Sequence, residues 1–307
     1  MGQVMLGVFF IVLAGILWAI DTLIRYPLLF NGTPAHSIVL FEHIYLTIIF
    51  LPLLIIGPFK LQKNQVKSIH LFYFFVIGVC GSAIGTLTFT EAFMLINPSI
   101  VILLQKLQPI IAISLAYFVL KENVQKSFLL WAFVALFGGL LISYPDIGPG
   151  LSKLQWTSDL INSKSLLGYG LTMIAVVSWG ASTVFGKKLS LDGFSEIQIM
   201  GGRFLFGFVF MAIYVLSIKG TLHPAWEMKN YQLVLLMVFL SGLLGMYFYY
   251  LGLKKISARG AALAEMFFPM SAVVINWIFL NATLKPIQII GGVILLGASI
   301  AIQKKRA

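Results

Sequence analysis

Apolar runs long enough to cross a bilayer recur ten times along these 307 residues, and nothing else in the chain limits its fold so strongly. A membrane-crossing helix needs roughly 20 mainly apolar residues. Such runs fall at about 4–24, 36–57, 70–95, 98–120, 126–144, 166–188, 195–218, 231–254, 258–280 and 285–302. With no water in the bilayer to satisfy backbone polar groups, each run must close its own hydrogen bonds as a helix. The expectation is an all-α membrane protein with ten transmembrane helices. Composition agrees, because 60% hydrophobic and 10% charged residues leave too little polar surface to cover a soluble globule of this size.

The first run, Val4 to Ile20, has neither a basic n-region nor a small-residue cleavage site before it, so it reads as a retained helix rather than a signal peptide. Twenty-one Lys and Arg against ten Asp and Glu make the chain basic. Most of those charges lie in short turns between apolar runs, which argues against a nucleic-acid partner and for the lipid bilayer. A single cysteine, Cys80, excludes a disulfide framework and a thiolate metal site, so no cofactor or metal is expected.

Only one connection is long, Pro145 to Ser165, and it divides the chain into a first five-helix repeat (1–144), a connecting loop (145–165) and a second five-helix repeat (166–307). Positive charge places the ends. The side holding both termini carries Lys60, Lys63, Lys67, Lys121, Lys126, Lys187, Lys188, Lys254, Lys255, Arg259, Lys304, Lys305 and Arg306. The other side carries only Arg25, Lys153, Lys164, Lys219, Lys229 and Lys285. Both termini are therefore expected in the cytoplasm. With five spans in each half, the second half is inverted relative to the first.

The halves also match in sequence. Gly7, Trp18 and Thr22 precede Gly168, Trp179 and Thr183 by 161 residues, and Gly85 and Pro109 precede Gly245 and Pro269 by 160. Inverted repeats are the usual construction of secondary transporters, in which two similar halves exchange conformations around a central site.

The chain resembles the drug/metabolite transporter superfamily, EamA type, over essentially all of its length. The resemblance is carried by Trp18 and by Trp179-Gly180 with the following Lys187, by Arg203, by Pro109 and Pro269, and by Glu122 with Gly138 and Gly139. Two positions depart from symmetry: Arg203 is answered by Glu42, and Glu122 by Ala282. The latter points to a Glu122 outside the mechanism. The resemblance implies a central cavity lined by the first, third and fourth helices of each half, taking amino acids or other small metabolites, commonly for export.

Candidate site residues come from charges and breaks within spans. Val101 to Pro109 (VILLQKLQP) sets Gln105, Lys106 and Gln108 before a proline, and Ala261 to Pro269 (AALAEMFFP) sets Glu265 before another. Proline removes a backbone donor, so Pro109 and Pro269 are expected to break their helices and free carbonyls. An ionisable side chain at mid-membrane costs about 2.5–3.5 kcal/mol on insertion scales, which makes Lys106 and Glu265 candidate substrate contacts. Asn276 continues the stripe of Glu265 and Pro269 at helical spacing. Trp18, Trp179, Tyr247 and Tyr250 are candidate cavity aromatics, suited to stacking on a ring or holding a cation. Glu91 and Glu265 are candidate proton carriers, and for Glu91 a place at the cavity mouth or a pairing with Lys106 is the alternative. Asp21 and Arg25, four apart, read as an interfacial pair, with an outer gate as the alternative. His36 and His43 read as interfacial hydrogen-bonding groups, with a pH-sensing role as the alternative.

There is no Walker A sequence, no H-E-x-x-H and no G-x-S-x-G, which argues against an ATPase or an intramembrane enzyme. No ring of like charge suggests a channel. The expected function is alternating-access transport of a small polar metabolite such as an amino acid across the inner membrane, outward, by a monomer or dimer with a proton as candidate coupling ion. Uptake or exchange of S-adenosylmethionine, a nucleotide sugar or a choline-like cation is the alternative.

Overall fold

The computed structural model describes residues 2–56, 67–124, 126–151, 164–222, 226–253, 255–256 and 264–304; they form helices joined by turns and short irregular segments, with no strand among them. Among the described residues, eight helices are long and apolar enough to cross a bilayer. They are α1 (Gly2–Phe30), α2 (Ala35–Ile56), α3 (Ser68–Ala92), α4 (Pro98–Val119), α5 (Phe128–Leu151), α6 (Lys164–Leu191), α7 (Glu196–Lys219) and α8 (228–253). Two shorter apolar helices follow, α9 (Phe267–Leu280) and α10 (Pro286–Lys304). The early part of the expected ninth span, 258–263, lies outside the described residues.

Helix boundaries follow local chemistry. Asn97 caps α4 by accepting from the Ser99 amide at 2.9 Å, with Pro98 at the first helical position. Ser195 and Gln198 form a capping box on α7, which ends at Gly220 in the left-handed region. Two helices outrun the sequence expectation. α1 passes Pro27 and stops only at Gly32 (φ +85°), where the Gly32 amide bonds to the Leu29 carbonyl and the Thr33 amide to Leu28. α5 passes Pro145 and reaches Leu151. Proline inside a span is tolerated where neighbouring helices cover the backbone it loosens.

Direction follows from contacts at helix ends. Arg25 and Thr90, each near the end of its helix, bond at 3.0 Å, so α1 and α3 run parallel. Lys255, just past α8, donates to Gln3 at 2.8 Å, so α8 runs antiparallel to α1. His70 at the start of α3 meets Asp192 just past α6 at 3.4 Å, so α6 runs antiparallel to α3. The first helix of each half thus lies against the third helix of the other. Ends near Gln3, His70 and Asp192 are called the terminal side below, and ends near Arg25 and Thr90 the opposite side. α5 and α10 form a separate pair, in which the glycines meet backbone to backbone: a Cβ at Gly138 would lie 2.8 Å from the Gly291 carbonyl, and one at Gly291 2.7 Å from that of Gly138.

The third helix of each half carries a matched irregularity. Val76–Ile84 in α3 and Val238–Gly245 in α8 are π-helical, and they occupy equivalent places in the two repeats. Single π turns within α-helices often mark functional sites, because they re-aim side chains and release carbonyls. Both run up to the repeat-related Gly85 and Gly245.

Candidate functional site

Trp18, Asp21 and Arg25 stand on one face of α1, three and four residues apart. All five guanidinium N–H donors of Arg25 are taken. Nε and Nη2 donate to Asp21 at 2.7 and 3.1 Å, Nη2 and Nη1 to Glu42 at 2.6 and 3.1 Å, and Nη1 to the Thr90 hydroxyl at 3.0 Å. Arg25 is 5% exposed and Glu42 8%. A guanidinium gripping two carboxylates with paired bonds is the strongest arrangement these groups allow. It ties α1, α2 and α3 together. The Ser241 hydroxyl, on the π turn of α8, adds a bond to Asp21 at 3.0 Å, while the Ser241 carbonyl accepts from the Trp18 indole at 3.0 Å.

This network is one wall of a cavity of about 320 Å³ between α1, α2, α3, α6, α7 and α8. Ligand pockets span about 300–1,000 Å³, so the space suits one small molecule. Trp18 and Trp179 both line it, with Phe89, Phe204, His43, Ser82, Thr86 and Arg203. His43 bonds the Val39 carbonyl through Nδ1 at 2.7 Å. A carbonyl only accepts, so Nδ1 carries the proton, and in the neutral ring Nε2 then accepts from the Ser82 hydroxyl at 3.0 Å. Glu42 and its repeat partner Arg203 reach the same cavity with opposite charge. Repeat symmetry holds for the tryptophans: Trp18 packs on Gly245 and Trp179 on Gly85, where an added Cβ would lie 2.6 and 2.9 Å from the indole nitrogen.

Lys106 and Glu265 come together, but off this cavity wall. Gln105, Lys106 and Leu107 form a single 3-10 turn just before Pro109, and Glu265 and Met266 form a turn just before α9 and Pro269. The Lys106 ammonium sits 5.1 Å above the Phe268 ring and within electrostatic reach of Glu265, which accepts from the Tyr249 hydroxyl at 2.6 Å. Trp18 touches both Tyr249 and Phe268, with centroids 5.4 and 6.1 Å away. One indole thus lines the cavity and touches the rings that meet Lys106 and Glu265.

The remaining expected residues scatter. Gln108 donates to Thr183 at 3.2 Å, and Asn276 is fully buried and donates to Ser99 at 3.3 Å. Gln105 Oε1 is buried without a hydrogen-bond partner among the described residues. Glu91 is partly buried, and among the described residues its carboxylate makes no hydrogen bond or ion pair. Tyr247, expected on the cavity wall, is 59% exposed and does not line the cavity; it follows the π turn of α8 directly. The Tyr250 side chain lies outside the described residues. Glu122, read as outside the mechanism, pairs with Lys187 across the two halves on the terminal side.

Sequence reading missed the Arg25 network as a cavity wall because it ended α1 near residue 24, which placed Arg25 at an interface. It likewise placed His43 at an interface, whereas its ring is 2% exposed inside the bundle. A usable signal was present: Trp18, Asp21 and Arg25 fall on one face, and Glu42 enters α2 at a comparable depth.

The model of the EamA-like transporter family matches residues 5–144 and again 166–303. The riboflavin transporter ImpX of Fusobacterium nucleatum subsp. nucleatum is 31% identical over 311 residues, covering 97% of both chains. An uncharacterised transporter of Clostridium kluyveri is 25% identical, covering 82% of this chain and 78% of its own, and YoaV, an uncharacterised transporter of Bacillus subtilis, is 25% identical with 84% of each covered. A solved crystal structure 14% identical in sequence superposes with a TM-score of 0.56, covering 98% of this chain and 96% of its own. That likeness bears on the fold alone.

Proposed function

Because this chain belongs to the EamA-like transporter family, we propose that it is a multi-pass plasma-membrane transporter carrying a flat, hydroxylated heteroaromatic metabolite of the riboflavin kind through the cavity between its halves. The observation that carries this reading is the placement of Trp18 and Trp179, one from each half, on the wall of one cavity of about 320 Å³. Aromatic faces bind a planar ring by offset stacking, and the hydroxyl and charged groups of Ser82, Thr86, Asp21 and Glu42 offer partners to a polyol. The name of the 31%-identical relative supports the same class of cargo.

Amino-acid cargo, the first expectation, is the second reading. Arg203 and Glu42 on the same wall present opposite charges to a zwitterion. Its export direction is tested in the same assay.

We further propose alternating access in ten spans arranged as two inverted five-helix repeats (1–144 and 166–307, joined by 145–165), with both termini cytoplasmic. The buried position of Arg25 removes it from the outer loops, which widens the charge asymmetry behind that orientation. Lys106, Glu265, Gln105 and Gln108 are proposed to meet the cargo on the terminal side of Trp18, Asn276 to meet it toward the opposite side beside Ser99 at the start of α4, and Glu91 and Glu265 to be the groups that would carry a coupling proton.

The test is purified protein in liposomes with labelled riboflavin, with and without a pH gradient. Saturable riboflavin flux unaffected by excess amino acids is expected. Preloaded vesicles score export. Amino-acid flux without riboflavin flux would replace the first reading by the second, and indifference to the gradient would remove the proton.

A further inference from the structure

The two tryptophans are not equivalent in what holds them, and the difference follows the repeat. Trp18 packs against Tyr249 of α8, and Trp179 against Phe89 of α3 at 4.9 Å; Phe89 precedes Tyr249 by 160 residues, as Gly85 precedes Gly245. Each indole thus makes the same cross-half contact. The contacts lie at opposite ends of the cavity. Tyr249 is near the end of α8 that reaches Gln3, on the terminal side, whereas Phe89 is near the end of α3, where Gly168 at the start of α6 packs on Leu95 and Ile96.

We infer that these are two gates of one passage, Trp18 with Tyr249 and Phe268 on the terminal side and Trp179 with Phe89 on the opposite side, and that the Tyr249 hydroxyl bond to Glu265 is a catch present on the first gate alone. At the equivalent places the other half has Phe89, which carries no hydroxyl, and Gln105, whose Oε1 is buried without a hydrogen-bond partner among the described residues. The terminal gate is held further by the Trp18 bond to the Ser241 carbonyl and by Lys106 above Phe268, while among the described residues the Trp179 indole N–H makes no hydrogen bond. Two symmetric gates with one catch give the passage a bias: the terminal gate opens only when Tyr249 releases Glu265. Tyr249 is in this scheme a positioning residue, acting on the passage through Trp18.

The inference rests on the transport reading but not on its cargo, and side-specific labelling separates the two. In a Cys80→Ala background, Thr86→Cys on the cavity wall is labelled with a membrane-impermeant maleimide in intact cells and in inverted membrane vesicles, and the terminal side is identified by Lys67→Cys in the same preparations. Tyr249→Phe keeps the ring and removes the catch, so the labelling rate from the terminal side should rise about tenfold, the effect of losing one hydrogen bond to a charged group, with no rise from the opposite side. Phe89→Tyr with Gln105→Glu installs a catch on the other gate and should slow labelling from the opposite side. Tyr249→Phe leaving both rates unchanged, or raising both alike, would overturn the inference. So would the double variant leaving opposite-side labelling untouched while its melting temperature stays that of the parent. Riboflavin transport measured in parallel fails or succeeds independently of these rates.

Discussion

Arg25 has no free donor for a substrate, so its contribution is to hold three helices in register beside the cavity. Removing it leaves Asp21 and Glu42 facing each other in the interior with no cation between them. Breaking a buried pair in this way costs about 3–5 kcal/mol. Arg25→Met should therefore lower the melting temperature in detergent markedly, and Arg25→Lys should rescue little, because an ammonium cannot grip two carboxylates with paired bonds. A melting curve unchanged in Arg25→Met would sink this assignment. Lys106 and Glu265 differ in kind, being tied to few groups and close to the helix breaks. Lys106→Met and Glu265→Gln should each lower flux in liposomes about tenfold or more, the effect of one lost charge-assisted contact of about 1.4 kcal/mol, with folding retained; full flux in folded variants would remove them from the passage. The sequence made Lys106 and Glu265 visible because a charge beside a central proline stands out in an apolar run. Arg25 was harder to place, since its partners Glu42 and Thr90 come from other helices and nothing local announces them.

At the scale of single helices, the breaks and the π turns differ in how they could be read. Pro109 and Pro269 are written in the chain, and the 3-10 turn at Gln105 to Leu107 and the turn at Glu265 and Met266 lie just before them. The π turns have no such mark, because an extra residue in a helical turn depends on what packs beside it. Only Gly85 and Gly245 hinted at them, and their use becomes clear from the indoles they admit. A methyl group at Gly245 would lie 2.6 Å from the Trp18 indole nitrogen, so Gly245→Ala must displace the indole from its bond to Ser241. Overpacking of this kind costs about 1–3 kcal/mol. Gly245→Ala should shift the tryptophan emission and lower flux, and Gly85→Ala should do the same through Trp179. Parental emission and flux in both alanine variants would show that the indoles are not confined as described. Tyr247 follows the π turn in an α-helical stretch, Met246–Leu253, so its aim relative to the first part of α8 could not be read from a period of 3.6 residues carried through the whole helix.

For the whole molecule, pairing the first helix of each half with the third of the other makes two structural halves from an offset of 160 or 161 residues. That offset was legible because glycines, tryptophans and prolines are costly to misplace, whereas the surrounding Leu, Ile and Val exchange freely on lipid-facing surfaces. Charges diverged where the halves do different work: Glu42 against Arg203, Glu265 against Gln105, Glu122 against Ala282. Glu122 bonds Lys187 of the other half, so an unmatched residue still joins the two halves on the terminal side. Such a half-exposed pair is worth about 0–1 kcal/mol, enough to bias which side is closed without fixing it. Orientation in the bilayer is then the property on which the assignment of gates to compartments depends. In a Cys80→Ala background, Lys164→Cys at the start of α6 should react with an impermeant maleimide in intact cells, and Lys67→Cys before α3 only after permeabilisation. The reverse pattern would place both termini outside, exchange the compartments assigned to the two gates, and leave the internal geometry of the cavity as it stands.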